Sequence, residues 1–105
     1  MAITYVESHY HELIREEEVA GLCAMSIRSF CRIFKKEQGE TFRTYLMGYR
    51  INKARELLRI PGVSVAGAAF ATGFSDMSYF SRVFRQIEGQ TPSAFQQKQI
   101  PEDVQ

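Results

Sequence analysis

The chain has 105 residues and a mass of 12.1 kDa, which is enough for one ordinary domain or two minimal ones. A hydrophobic content of 45% excludes a disordered chain, and no apolar run approaches the roughly 18 residues of a membrane span. No signal peptide is visible, and the two cysteines lack zinc-ligand spacing. We therefore expect reduced thiols, no cofactor and a cytoplasmic location.

Two helices are predicted at the start of the chain. A capping box formed by Thr4 and Glu7 predicts a first helix that runs to about Ile14. Residues 16–23 are expected to form a second helix, with three glutamates in the first turn, where the helix dipole favours negative charge.

A third helix is predicted over residues 27–38, with Ser26 as its N-cap. Phe30, Ile33 and Phe34 have the i, i+3, i+4 spacing of a buried face. Six further positions of this helix are polar or small: Arg28, Ser29, Cys31, Arg32, Lys35 and Lys36. Four of these six side chains are cationic. A short helix, a brief turn and a helix with an apolar inside and a basic outside form the helix-turn-helix pattern.

The longest helix is predicted from Thr41 to Arg59, and Pro61 prevents it from continuing. At about 100° per residue its apolar side chains fall on two sides, rotated by roughly 140°. One set is Phe42, Tyr45, Leu46 and Tyr49, and the other is Met47, Ile51, Ala54 and Leu58. Such a helix is expected to join two small cores. The alternative is a single amphipathic helix of one bundle.

The pattern of the second and third helices recurs after the long helix. Residues 65–71 and 77–87 are expected to form helices, with Gly73 ending the first and Ser75 or Asp76 capping the second.

The segments SFCRIFKKEQGETF and YFSRVFRQIEGQTP share the frame F-x-R-[IV]-F-[KR]-x-x-x-G-x-T, which indicates an internal repeat of about 50 residues. A last helix is predicted from Thr91 and Pro92 to Lys98, followed by a frayed tail.

The charges are unevenly distributed although the net charge is only +1. Residues 28–59 carry nine basic and three acidic side chains, a net +6, whereas residues 1–18 carry one arginine and five glutamates. This asymmetry predicts an anion-facing surface and an acidic back. The alternative is an ordinary solvated face.

Together these motifs are similar to the DNA-binding domain of the AraC/XylS family of bacterial transcription regulators. The resemblance rests on G-x-T-x-x-x-Y-L at residues 39–46, R-I-x-x-A-R-x-L-L at 50–58, GFSDMSYFSRVF at 73–84 and G-x-T-P-S-x-F at 89–95. It covers roughly residues 6–97.

The resemblance implies an all-α fold of seven helices, with two helix-turn-helix subdomains joined by a long linker helix. The subdomains are expected at residues 1–40 and 60–99, with the linker helix at 41–59 and the tail at 100–105. It also implies sequence-specific binding of double-stranded promoter or operator DNA. Both recognition helices would enter successive major-groove segments roughly 10 base pairs apart.

The family motif assigns base contacts to Arg28, Cys31 and Arg32 in the first recognition helix. In the second it assigns them to Met77, Ser78, Ser81 and Arg82. Arg28 and Arg32 could each bond guanine O6 and N7, the alternative being phosphate contact or solvation, and Arg82 could instead pair within the protein. Phosphate contacts are expected from Ser29, Lys35, Lys36 and Arg85. Because the first helix is the more charged, more of the sequence readout is expected from the first half.

Four positions depart from the family pattern or carry alternatives. Arg15 stands where the family often has a capping serine or threonine, so the second helix is expected to start loosely. Ala68 replaces a common larger aliphatic, so Phe70 is expected to fill the second core. Asp76 would repel phosphate unless it caps its helix or accepts from cytosine N4. Cys31 either faces a thymine methyl or, with its pKa lowered by nearby cations, acts as a redox sensor.

An enzyme is not expected, because neither a catalytic arrangement of side chains nor a phosphate-loop spacing is present. The main alternative is a helical protein-interaction module that keeps the fold without binding DNA, which predicts an apolar or acidic recognition face. The resemblance also implies RNA polymerase as a partner and an effector or receiver domain elsewhere in the full-length protein. The chain is then expected to be a fragment, the alternative being a small stand-alone member.

Overall fold

The computed structural model describes residues 2–99, which form seven helices and no strand. In chain order they are α1 (Ala2–His9), α2 (Glu16–Leu22), α3 (Ile27–Gln38), α4 (Phe42–Leu58), α5 (Val65–Ala71), α6 (Met77–Glu88) and α7 (Pro92–Lys98). The predicted all-α fold class is confirmed. The predicted tail at residues 100–105 lies outside the described residues.

The first helix differs from the prediction at both ends. It begins before Thr4, so the predicted capping box is wrong, and it ends at His9 rather than near residue 14. The carbonyls of Tyr10 and Glu12 accept hydrogen bonds from the Arg50 side chain. These tertiary contacts hold the loop between α1 and α2 against α4.

The starts of the other helices follow their capping residues. Four hydroxyl groups each accept a hydrogen bond from the backbone amide three residues later: Ser26, Thr41, Ser64 and Thr91. Asp76, rather than Ser75, caps α6. Arg15 occupies the N-cap of α2 without a capping side-chain bond, and the loose start expected for that helix stays a prediction.

The long helix α4 contributes to two separate cores. Its N-terminal half supplies Phe42 and Leu46 to a first core with side chains of α1, α2 and α3. Its C-terminal half supplies Ile51, Ala54 and Leu58 to a second core with α5, α6 and α7. This confirms that one helix joins two cores. Below, α1–α3 are called the first unit and α5–α7 the second unit.

The two helix-turn-helix turns follow the same backbone path. Ala24 and Gly73 both have positive φ, at 56° and 98°. The next residue in each turn, Met25 or Phe74, donates its amide to the carbonyl five residues earlier. The second turn then has one more residue before its recognition helix begins. The repeat therefore extends to the backbone of the turns.

Phe70 does not fill the second core, so that prediction is wrong. Its side chain is 55% exposed, whereas Ala68 and Ala69 are fully buried. Because α5 packs through these two alanines, Phe70 is rotated by about 100° or more from the buried side of the helix. The aromatic ring nearest in sequence that does enter the core is Phe74, which comes from the turn.

Phe70→Ala is expected to change the free energy of unfolding by no more than about 1 kcal/mol, because an exposed side chain leaves no core cavity. Phe80→Ala removes a fully buried ring from the second core and serves as the control, with an expected loss of about 3 kcal/mol or more. Urea denaturation of both variants measures the difference. Equal losses would contradict the exposed position of Phe70.

Candidate nucleic-acid interface

Helix α3 has an apolar face in the first core and a cationic face in solvent. Phe30 and Phe34 are buried and meet the ring of Phe42 edge to face. These contacts fix the rotation of α3 about its own axis. Four cationic side chains are exposed on the rest of the helix: Arg28, Arg32, Lys35 and Lys36. Ser29 is partly buried, and its amide is used by the Ser26 cap.

Helix α6 repeats this arrangement with fewer charges. Phe80 and Phe84 are fully buried, and their rings pack against Phe74 and Phe95 respectively. Ser78, Arg82 and Arg85 are exposed, whereas Ser81 and Met77 are partly buried. Met77 also packs against the second core, so less of this side chain is available to a ligand.

The cations of α3 and α6 form no salt bridge within residues 2–99. The salt bridges in that range join Lys53 to Glu56 and Arg55 to Glu88, and His11 Nε2 lies 3.5 Å from Glu12 Oε2. Arg82 instead lies over the ring of Tyr79, with Cζ 5.7 Å from the ring centroid. The sequence leaves open that Arg82 pairs within the protein. The structure shows such a contact, a cation–π interaction with a residue of the same helix.

Asp76 lies at the N-terminus of α6, where its charge is accommodated. Its Oδ1 accepts hydrogen bonds from the amides of Ser78 at 2.8 Å and Tyr79 at 3.2 Å. The positive end of the helix dipole further favours a carboxylate at this position. The capping role thus accounts for an acidic residue beside the cationic surface.

Cys31 is turned toward α2 rather than surrounded by cations. Its Sγ donates a hydrogen bond to Glu16 Oε2 at 3.1 Å. This bond raises the pKa of the Cys31 thiol, and partial burial and the Glu16 charge act in the same direction. The lowered pKa predicted for the Cys31 thiol as a redox sensor is therefore wrong. The prediction considers only the cations close to Cys31 in sequence and misses Glu16, which is 15 residues earlier.

Glu16→Gln is expected to speed alkylation of Cys31 severalfold, since the thiolate is the reactive form and its acceptor carboxylate is gone. Cys23 is also partly buried but is not bonded to Glu16, so it is the internal control. Mass spectrometry after iodoacetamide treatment at pH 8 measures both rates. An unchanged Cys31 rate would contradict the role of the hydrogen bond.

Arg50 is not part of an exposed cationic surface. By charge count it is among the basic residues of the predicted anion-facing surface, and the structure corrects that assignment. Its side chain is only 7% exposed and points into the junction between the two units. Burial lowers the pKa of its guanidinium, although arginine remains protonated in proteins. A signal was present in the sequence, because Leu46, Arg50 and Ala54 recur every four residues along the buried side of α4.

Neither a membrane span nor a metal site is found in the part of the chain that the structure describes. No helix there is both long and apolar enough to cross a bilayer. No group of three or more histidine, cysteine, aspartate or glutamate side chains is placed to hold a metal ion. His9 instead stacks on Tyr5, with 4.3 Å between the ring centroids.

The sequence is similar to a known domain family and to curated regulators. A family profile described as a helix-turn-helix domain matches residues 19–98. Regulatory protein PocR of Salmonella typhimurium is 39% identical over 97 residues, which are 92% of this chain and 32% of that protein. The transcriptional activator RhaS of Escherichia fergusonii is 38% identical over 95 residues, or 90% of this chain and 34% of that protein. The chain thus spans about a third of these relatives.

Solved structures of AraC-type domains have the same fold. The DNA-binding domain of AdpA, solved in complex with a target DNA, has a TM-score of 0.87 and 28% identity, covering 92% of this chain and 87% of that one. An AraC-type regulator from Chromobacterium violaceum has a TM-score of 0.86 and 27% identity, with coverage of 96% and 90%. The similarity therefore includes both units and the helix between them.

Proposed function

We propose that this chain, which belongs to the AraC/XylS family of helix-turn-helix transcription regulators, binds double-stranded DNA sequence-specifically through α3 and α6. The observation that carries the proposal is the duplicated pattern of buried and exposed residues. Each of these helices has its aromatic face in a core of its own and exposes arginine that has no acidic partner in residues 2–99.

The exposed residues divide into two chemical roles. Arg28 and Arg32 lie one turn apart, at a spacing that suits bidentate contacts with successive guanines. In α6, Arg82 supplies the corresponding charge, Ser78 and Ser81 supply weaker polar contacts, and Met77 supplies an apolar contact to a thymine methyl. We also assign Cys31 to the base contacts of the first helix; to reach a base, its thiol has to exchange the hydrogen bond with Glu16 for a contact with DNA. Phosphate contacts come from Ser29, Lys35, Lys36 and Arg85, which provide affinity without sequence choice.

The two recognition helices enter successive major-groove segments, roughly 10 base pairs apart along one face of the duplex. We assign the reading units to residues 1–40 and 60–99, the linker helix to 41–59 and a tail to 100–105. Because α3 exposes two base-facing arginines, Arg28 and Arg32, and α6 exposes one, Arg82, the first unit supplies more of the readout.

The partners of a full-length regulator follow from its relatives. The chain matches only about a third of PocR and RhaS, so an effector or receiver domain fits the remaining length. RhaS is named as a transcriptional activator, and RNA polymerase is the partner that activation requires. We place the regulator in the bacterial cytoplasm. We assign no catalytic step, because these relatives are regulators rather than enzymes.

A salt titration with a labelled random-sequence duplex tests DNA binding itself. The logarithm of the binding constant is expected to fall linearly with the logarithm of salt concentration, with a slope of about −0.9 per phosphate neutralised. A duplex should also compete better than a single strand of equal length. No binding at low salt would contradict the proposal and favour the alternative of a protein-interaction module.

A further inference from the structure

Arg50 ties the middle of α4 to the first unit. Its Nε donates to the carbonyl of Tyr10 at 2.8 Å, and its Nη2 donates to the carbonyl of Glu12 at 2.7 Å. Both carbonyls belong to the loop that joins α1 to α2. Two directed bonds from one planar guanidinium fix the position of this loop against α4 more narrowly than apolar packing would.

The same guanidinium contacts the turn of the second unit. Its Cζ lies 6.0 Å from the centroid of the Phe74 ring. A Cβ atom at Gly73 would lie 2.6 Å from the Tyr10 carbonyl oxygen and 2.8 Å from Arg50 Nε. The turn before α6 therefore packs against the α1–α2 loop, and Arg50 lies beside both segments.

A second connection joins α6 to the first half of α4. Arg43 Nη2 donates to the hydroxyl of Tyr79 at 3.0 Å, and that hydroxyl lies 3.8 Å from Met47 Sδ. Tyr79 belongs to α6, whereas Arg43 lies in the first turn of α4, beside the first core. The second recognition helix is thus attached at its base by Gly73 and along its side by Tyr79.

An arginine is a costly choice for this position if stability were its only purpose. The buried stripe of α4 contains Leu46, Ala54 and Leu58, and an apolar residue at position 50 would avoid desolvating a charge. What arginine adds is direction, since its hydrogen bonds define one arrangement of the two units. The contacts at Arg50 therefore have the properties of an orientation device.

We propose that Arg50 is a positioning residue that holds α3 and α6 at one relative orientation and so determines the spacing between the two DNA blocks that the chain accepts. The proposal rests on the two-headed DNA binding proposed above. Because Arg50 is only 7% exposed, this role requires no contact between its side chain and a base.

The test measures affinity for a site selected from random duplexes and for the same site with one base pair inserted between its blocks. Each inserted pair moves the second block by about 3.4 Å and turns it by about 35°. The affinity of the wild-type chain is expected to fall about tenfold or more on insertion, because one of the two recognition helices loses its base contacts. Arg50→Met is expected to bind the original site more weakly, to lose less than about threefold on insertion, and to keep both base preferences.

Two further variants separate orientation from general stability. Arg55→Met removes an ion pair between α4 and Glu88 of the second unit, so it should keep the wild-type penalty for insertion. Tyr79→Phe keeps the ring and deletes the hydroxyl that accepts from Arg43, so it should reduce the penalty partially. This variant also tests the junction if Arg50→Met does not fold, as judged by circular dichroism.

The outcomes distinguish the two proposals. Equal wild-type affinity for both spacings would refute two-headed binding itself. A wild-type preference that both Arg50→Met and Tyr79→Phe retain in full would refute only the positioning role. If Arg55→Met reduced the penalty for insertion as much as Arg50→Met does, the positioning role would also be refuted, since loss of any arginine on α4 would then have the same effect.

Discussion

Arg32→Ala is expected to weaken binding to the selected DNA site by roughly tenfold to a hundredfold, the value of one lost bidentate base contact. Arg32 is exposed on α3, and the rotation of that helix is fixed by the packing of Phe30 and Phe34 in the first core. The loss should be confined to one block of the site. Fluorescence anisotropy with the selected and a random duplex measures both affinities.

Lys36→Ala is the matched control, since it removes an exposed cation from the last turn of the same helix. It should weaken binding to both duplexes by similar factors and reduce the salt slope by about one. If Arg32→Ala behaved in the same way, Arg32 would be a phosphate contact and its assignment to base readout would be wrong.

Gly73→Ala is expected to lower the free energy of unfolding by about 4 kcal/mol, a large loss for a point substitution. The left-handed conformation, at φ +98°, costs any residue with a Cβ about 1 kcal/mol or more. The added methyl would also lie 2.6 Å from the Tyr10 carbonyl oxygen, which is backbone and cannot rotate away. Relief requires the two units to separate at their junction.

Gly89→Ala isolates the conformational part of that loss. Gly89 has a similar φ of +86°, but apart from the residue itself and its two chain neighbours no heavy atom lies within 4 Å of the added Cβ. Its expected cost is about 1 kcal/mol. Urea denaturation compares the variants, and a Gly73→Ala loss no greater than that of Gly89→Ala would show that the contact with Tyr10 is unimportant.

Features determined by local sequence were predictable. The bounds of α3 follow from the Ser26 cap, the apolar spacing and Gly39, which ends the helix at φ +80°. The two cores follow from the change of apolar face along α4. The repeat adds a second copy of the same signals. Caps and apolar spacing within one helix depend on residues a few positions apart, which is the range over which capping and periodicity act.

Features determined by contacts between distant segments were not predictable in the same way. The loop after α1 is held by Arg50, which is 40 residues later than the Tyr10 carbonyl it binds. The direction of the Cys31 pKa shift depends on Glu16. The exposure of Phe70 depends on which side of α5 packs against α4. In each case the sequence gives the residue type, and the partner is known only once the helices are packed.

The most direct test of two-headed readout is selection of bound sequences from a random duplex library with the wild-type chain, Arg32→Ala and Arg82→Ala. The wild type is expected to enrich two blocks about 10 base pairs apart. Arg32→Ala should relax one block and Arg82→Ala the other. A single continuous motif, no enrichment, or relaxation of the same block by both variants would contradict the assignment of α3 and α6 to separate groove segments.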